Sequence, residues 1–221
     1  MAWPPSYYPQ TRGFRFSYRE LREIAISVLV LTLAFTIFFS DGIYGLASSF
    51  RGFTFAYYFV ISLLAVLTAF FFHEMAHKFL AQKYGCWAEF NYSPMGLLFA
   101  IVTSLFGIIF AAPGAVIIGG AITREQNGRI SAAGPGTNLL VGSAFTAAFF
   151  AAAPFSIPVF PSGPGLSDIL RLLAWINIVL GGFNLIPFPP LDGSKILRWN
   201  LAAYVLLVVL AVGLFTVLFF F

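Results

Sequence analysis

Charged side chains are scarce in this chain of 221 residues, since Asp, Glu, Lys and Arg make up 9% of it and hydrophobic residues 60%. Soluble domains contain about 25% charged residues. The composition therefore excludes an ordinary soluble domain and indicates an integral membrane protein whose partner is the lipid bilayer. The net charge of +4 is too sparse for a surface that follows phosphates, so no nucleic acid is expected as a partner.

Cysteine and histidine are also nearly absent. The single cysteine, Cys86, excludes an internal disulfide and a cysteine-rich zinc site. The chain has only two histidines, so a metal site must combine imidazole with carboxylate. Residues 1–22 lack the short apolar core and the small-residue cleavage site of a signal peptide, so we expect the first apolar helix to be a retained anchor.

Long apolar runs recur along the chain, and about 20 apolar residues in a helix cross a bilayer. The expected fold is an all-α polytopic membrane protein with about five to six transmembrane helices and a small membrane-associated β-hairpin or re-entrant element. The expected spans are residues 24–40, 55–82, 132–152, 169–186 and 201–221, with a further apolar run at 95–113.

We expect residues 1–22 to form a basic cytoplasmic arm and residues 23–221 a single transmembrane domain with its core at about 55–200. Within this core, about 86–130 is the expected re-entrant or β segment, because 115–122 is rich in β-branched residues and glycine. Residues 86–94 suit a strand or a loop. Asn127-Gly128, in a polar stretch at 124–129, predicts a hairpin turn.

The basic residues predict the topology, because cytoplasmic loops are enriched in Lys and Arg. With the N-terminus inside, all but two of the 12 Lys and Arg lie on the inner side, and Arg51 and Arg171 lie outside. This arrangement requires that 95–113 makes no net crossing, which favours a re-entrant element. Hydropathy alone leaves a true crossing as the alternative.

The pentapeptide His73-Glu74-Met75-Ala76-His77 ends the second span. Residues i and i+4 of a helix share a face, so both imidazoles can bind one metal ion. Ionisable groups in a membrane cost about 2.5–3.5 kcal/mol each on insertion scales and mark functional sites. The spacing is that of zinc metalloproteases, in which the Glu is the general base. The alternative is a helix end near Lys78 whose polar side chains face lipid headgroups.

A catalytic zinc needs a third protein ligand and an open position. With no further His, this ligand must be a carboxylate. Asp192 is well placed, because the prolines before it stop a helix, and the predicted topology puts it on the same side as the pentapeptide. Its alternative role is the N-cap of the last helix. Glu89 also remains open as a ligand.

Three motifs together resemble those of the site-2 protease family of intramembrane zinc metalloproteases. They are His73-Glu74-x-x-His77, Gly134-Pro135-x-x-Asn138 and Asn184-x-x-Pro187-x-Pro189-x-x-Asp192-Gly193. The resemblance implies a core of three transmembrane helices, and one Zn2+ per chain held by His73, His77 and Asp192. It also implies catalytic roles for Glu74 and for Asn184, which would stabilise the substrate or the transition state.

The same resemblance implies a supporting role for Asn138, through a hydrogen bond across the core or beside the site. The chain departs from the family pattern at Ser194, where a second glycine is common. No PDZ or CBS domain is expected, which makes this a compact form of the family.

The expected function is that of an intramembrane zinc metallopeptidase that hydrolyses peptide bonds in or near transmembrane segments of membrane-protein substrates. An exposed strand edge at 115–120 could hold the substrate by β-addition. The alternatives are a membrane metal-binding or transport protein and a family member that binds transmembrane helices without cutting them. The expected location is the cell membrane, with the N-terminus and active site facing the cytoplasm. The sequence leaves open whether the chain forms a homo-oligomer.

Overall fold

The computed structural model describes residues 14–42, 44–45, 54–159 and 163–220. Most of the expected basic arm and the loop with Arg51 lie outside these residues. In chain order the elements are α1 (Tyr18–Phe39), α2 (Thr54–Ala65), a π-helical turn (Val66–Phe71), α3 (Phe72–Lys83), β1 (Trp87–Tyr92), α4 (Pro94–Leu105), β2 (Gly114–Gly119), α5 (Arg124–Ala152), α6 (Leu166–Asn184), α7 (Asp192–Trp199) and α8 (Leu201–Phe220).

Four of the described helices are long and apolar enough to cross a membrane: α1, the continuous rod of α2, the π turn and α3, then α6 and α8. The prediction of a mostly α-helical membrane protein with a small β-hairpin is confirmed. α5 has 29 residues and a length of about 44 Å. α5 is not among the four apolar helices, and its hydropathy is lower than theirs. The reason is its polar start and the small and polar residues that it buries against the other helices.

The prediction of a polar hairpin turn at 124–129 is wrong, because these residues form the first turns of α5. The Thr123 side chain accepts from Gln126 N, and Gln126 Oε1 accepts from Thr123 N, which is a capping box that starts a helix. Gly128 does not form a turn, and its lack of a side chain lets Trp199 pack against the helix. A Cβ there would lie 2.2 Å from the Cβ of Trp199.

The apolar run at 95–113 contains one short helix and lies between two paired strands. Its helix α4 has 12 residues, about 18 Å, whereas the hydrocarbon core is about 30 Å thick. The strands on either side pair with each other in antiparallel register, from Trp87 opposite Gly119 to Tyr92 opposite Gly114. Ser93 N also donates to Pro113 O at 2.8 Å. The two ends of the segment therefore lie side by side, and a re-entrant element remains the prediction from the charge distribution.

α5 lies at the centre of the bundle and packs against α3, α6, α7 and α8. Small residues allow this close approach: a Cβ at Gly142 would lie 2.8 Å from Ile178 Cγ1, and one at Gly181 would lie 3.1 Å from Asn138 Cβ. Helices in lipid associate largely through such close packing. As a result, α3, α5 and the segment that links α6 to α7 meet around one point.

α1 lies on the other side of the rod and holds the outer edge of β1. Glu20 and Glu23 accept hydrogen bonds from Phe90 N and Tyr92 N at 2.9 and 3.1 Å. Glu20 also pairs with Lys78 of α3, and both side chains are fully buried. Removing one partner of a buried ion pair leaves the other charge uncompensated. Because Glu20 also accepts from Phe90 N, the pair connects β1 to α1 and α3.

Candidate metal centre

Three potential ligand atoms meet between α3 and α7. His73 and His77 follow each other by one helical turn, and their Nε2 atoms lie 3.0 Å apart. Asp192 Oδ2 lies 3.5 Å from His73 Nε2 and 3.1 Å from His77 Nε2. All three residues are buried, and they are the group of potential metal ligands found among the described residues.

These separations fit a tetrahedral zinc ion. Zinc binds imidazole nitrogen and carboxylate oxygen at about 2.0–2.2 Å, so two ligands of a tetrahedral ion lie about 3.3 Å apart. The three distances between ligand atoms, 3.0, 3.1 and 3.5 Å, bracket this value. Three protein ligands leave one position open, which is the arrangement of catalytic zinc sites.

The second nitrogen of each imidazole is held by an oxygen that can only accept. His73 Nδ1 donates to Asn138 Oδ1 at 3.1 Å, and His77 Nδ1 donates to the backbone oxygen of Ile130 at 2.7 Å. Both acceptors lie on α5. They place the proton on Nδ1 and leave the Nε2 lone pair for a metal, as outer-shell partners of metal-binding histidines do.

Asp192 is the first residue of α7, and the N-cap position is held by Leu191. The alternative role as N-cap of the last helix is also wrong, because α8 begins at Leu201 and Asn200 Oδ1 accepts from Ala203 N. Its side chain turns towards the two histidines, with Oδ1 3.4 Å from Lys195 Nζ. Gly193 allows this turn, because a Cβ there would lie 2.1 Å from Leu185 O. Ser194, the departure from the family pattern, fits by donating to Leu191 O at 2.8 Å.

Glu74 stands beside the hairpin. It follows His73 on α3, and its Oε2 accepts from Val116 N of β2 at 3.1 Å. Asn184 is the last residue of α6, where its Nδ2 donates to Leu180 O at 3.0 Å. Among the described residues, Asn184 makes no hydrogen bond to the three potential ligands. Glu89 lies on β1 and does not belong to the ligand group.

Sequence reasoning missed several residues around this centre. The sequence alone assigns Glu20 no role, yet its side chain is buried against Lys78. The spacing of Glu20 and Glu23, one turn apart in the first turns of α1, was the available signal. Cys86 packs in an apolar cluster, and burial raises the pKa of its thiol, which opposes a thiolate ligand.

Gly134 lies directly against the rings of His73 and His77, and a larger residue does not fit there. A Cβ at this position would lie 2.3 Å from His77 Nε2 and 2.7 Å from His73 Cε1. We expect Gly134→Ala to lower zinc affinity by about tenfold or more, because the displaced rings no longer present both Nε2 atoms. The measurement is zinc affinity of the purified protein, by competition with a chelator.

Gly136→Ala is the matched control, since it lies on the same helix and its Cβ would meet no atom within 4 Å. We expect it to bind zinc like the native chain. Equal zinc affinity in Gly134→Ala and Gly136→Ala would contradict the close contact at Gly134.

The model of Peptidase family M50 matches residues 162–220. The protein named "Putative zinc metalloprotease MJ0611" of Methanocaldococcus jannaschii is 39% identical over 189 residues, which are 85% of this chain and 87% of that relative. The chain belongs to peptidase family M50, the site-2 protease family.

Two further members match over shorter parts. "Putative zinc metalloprotease Rip3" of Mycobacterium tuberculosis is 32% identical over 62% of this chain and 29% of its own length. "Zinc metalloprotease MJ0392" of Methanocaldococcus jannaschii is 31% identical over 57% of this chain and 30% of its own length. No solved structure matches the chain significantly. Membership of family M50, together with the ligand set, implies Zn2+ as the metal.

Proposed function

We propose that this M50 member is an intramembrane zinc endopeptidase that hydrolyses peptide bonds in or near transmembrane segments of membrane proteins. The observation that supports it most strongly is the cluster of His73 Nε2, His77 Nε2 and Asp192 Oδ2, with Glu74 beside it. His73, Glu74 and His77 lie on a rod, Thr54–Lys83, that is long and apolar enough to cross a bilayer, and Asp192 of α7 reaches them from outside it.

The chemistry divides between the metal and the side chains. A zinc ion held there would lower the pKa of a water molecule towards about 7 and polarise the scissile carbonyl. Glu74 takes the proton from the attacking water on its carboxylate and passes it to the amine nitrogen that leaves. Asn138 and the Ile130 carbonyl keep both histidines in the tautomer with a free Nε2.

Asn184 supports the substrate carbonyl in this proposal. Its Nδ2 is partly exposed and bonds to Leu180 O of its own helix. To donate to the oxygen that gains negative charge, the amide must exchange this bond for one to the substrate. The position at the end of α6, eight residues before Asp192, puts it on the segment that carries the third ligand.

The substrate must be extended, because a helical peptide bond is shielded by its own hydrogen bonds and side chains. The described sheet has two strands, and side chains bond fewer backbone groups on the outer edge of β2 than on the outer edge of β1. The outer edge of β1 is occupied by Glu20 and Glu23, whereas the outer edge of β2 faces Glu74 through Val116 N. We therefore assign β2 as the edge to which a substrate segment adds.

The basic residues favour an orientation in which the N-terminus and the active site face the cytoplasm. We propose the cell membrane as the location. The described residues contain one group of potential metal ligands. A transport path needs a series of polar groups across the bilayer, so this single group supports the peptidase over metal transport.

The test uses the purified full-length chain in proteoliposomes with a model transmembrane substrate. We expect a cut within or next to the apolar segment, located by mass spectrometry, that stops on chelation and returns with zinc. The same vesicles report zinc uptake as a control. Zinc uptake without any cleavage would overturn the proposal in favour of a transporter, and zinc binding with neither activity would favour a non-cleaving protein.

A further inference from the structure

The helix with the two histidines does not continue regularly from the helix before it. Between α2 and α3 lies the π-helical turn Val66–Phe71, which ends two residues before His73. A π turn accommodates one more residue than an α turn. One residue of an α-helix corresponds to a rotation of about 100°. The turn therefore sets which way His73, Glu74 and His77 face relative to the membrane-spanning helix α2.

Two asparagines from neighbouring helices hold this turn. Asn138 of α5 donates from Nδ2 to Ala69 O at 3.2 Å, while its Oδ1 accepts from His73 Nδ1. Asn177 of α6 donates from Nδ2 to Thr68 Oγ1 at 3.2 Å. Both asparagines are fully buried. The π turn is thus fixed on two successive residues, by its backbone at Ala69 and by its side chain at Thr68.

The hydroxyl of Thr68 links Asn177 to the backbone of the rod. It donates to Leu64 O at 2.7 Å, one turn earlier, and accepts from Asn177. Asn177 is itself anchored by a bond from Nδ2 to Leu173 O at 2.9 Å. The chain of contacts therefore runs from α6 through Asn177 and Thr68 to the π turn, and the turn leads directly to the potential ligands.

Packing alone does not account for Asn177. Its neighbours Leu173 and Ala69 belong to an apolar cluster, and its Oδ1 is buried without a partner among the described protein groups. A buried amide that is only half satisfied costs free energy, and an apolar side chain of similar size would avoid that cost. What Asn177 contributes is the bond to Thr68.

We propose that Thr68 and Asn177 are positioning residues of the zinc site, which hold the π turn and so fix the direction in which His73 and His77 present their Nε2 atoms. Neither residue touches the ligand atoms, and both act through the turn. The inference rests on the proposed zinc site but not on peptidase activity.

The test measures zinc affinity of full-length variants by chelator competition. We expect Thr68→Val and Asn177→Leu each to weaken zinc binding about tenfold, as changes in outer-shell partners do. The double variant should bind zinc about as tightly as the weaker-binding single variant, because both substitutions remove the same contact between Thr68 and Asn177. Thr68→Ser keeps the hydroxyl and should bind like the native chain.

Thr216→Val is the matched control, because Thr216 makes the same bond to a carbonyl four residues earlier on α8 and has an exposed hydroxyl. We expect it to leave zinc affinity unchanged. Native affinity in Thr68→Val, loss in Thr68→Ser equal to that in Thr68→Val, or additive losses in the double variant would each overturn the proposal.

Absorption of the Co2+-substituted protein supplies a second readout, which reports ligand geometry without activity. We expect a shifted visible spectrum in Thr68→Val and Asn177→Leu and a native spectrum in Thr216→Val; native spectra in all three would overturn the proposal. The native chain could bind zinc and cut no substrate while Thr68→Val still changes zinc affinity. That result would refute the peptidase and leave this positioning role intact.

Discussion

Glu74→Gln is expected to abolish peptide-bond cleavage and to leave zinc bound. The amide keeps the size of the side chain but cannot take a proton from water, and a positioned general acid–base contributes about 10²–10⁴-fold to a rate. Glu74 is not one of the three potential ligands, so metal content should remain at one ion per chain. The measurement combines zinc analysis of the purified variant with the initial rate on the model transmembrane substrate.

Glu89→Gln is the matched control for this result. Glu89 is also a glutamate near the hairpin, on β1 opposite Ile117, but it lies outside the ligand group. We expect it to cut substrate at about the native rate. If Glu74→Gln cleaved like the native chain, the general-base assignment would be wrong. Loss of activity in Glu89→Gln alone would assign the general-base role to Glu89.

Asp192→Ala is expected to lose the metal. The substitution removes the carboxylate ligand and leaves two imidazoles, which cannot complete the three-ligand set of a catalytic zinc. Changes in outer-shell partners already cost about 10–100-fold in affinity, so loss of a ligand should cost more. Zinc per chain after dialysis against a mild chelator measures this directly, and cleavage should disappear with the metal.

Asp168→Asn serves as its control, because Asp168 is an exposed aspartate at the start of α6 that accepts from Gly165 N. This variant should keep zinc and activity. Full zinc retention by Asp192→Ala would show that another side chain closes the site. Glu89 would then be the next residue to substitute, since it was the alternative that position in the sequence left open.

The candidate ligands were predictable because their signals are local. The spacing of His73 and His77 is a property of any helix, and the scarcity of histidine leaves few other donors. The prolines before Asp192 mark a helix end that no regular span could continue through. The family resemblance already favoured Asp192 over Glu89, but the contact itself depends on the tertiary structure, since 119 positions separate Asp192 from His73.

The polar stretch at 124–129 shows where local reasoning failed. Asn127-Gly128 is a frequent hairpin turn, but Thr123 and Gln126 form a capping box that begins a helix at the same place. Gly128 then packs against Trp199, a contact between distant segments. Two local signals competed here, and the long-range contact is compatible with only one of them.

By itself, the sequence determined the membrane class, most of the spans and the set of residues from which a metal site can be built. Hydropathy, charge bias and helical spacing act over one or two dozen residues, so they can be read without the fold. Only the tertiary structure decided that Glu20 is buried against Lys78, that Gly134 makes room for the imidazoles and that Asn177 reaches Thr68. Each of these contacts joins segments that are remote in sequence, and it forms because α5 and its neighbours pack closely enough to bury polar groups together.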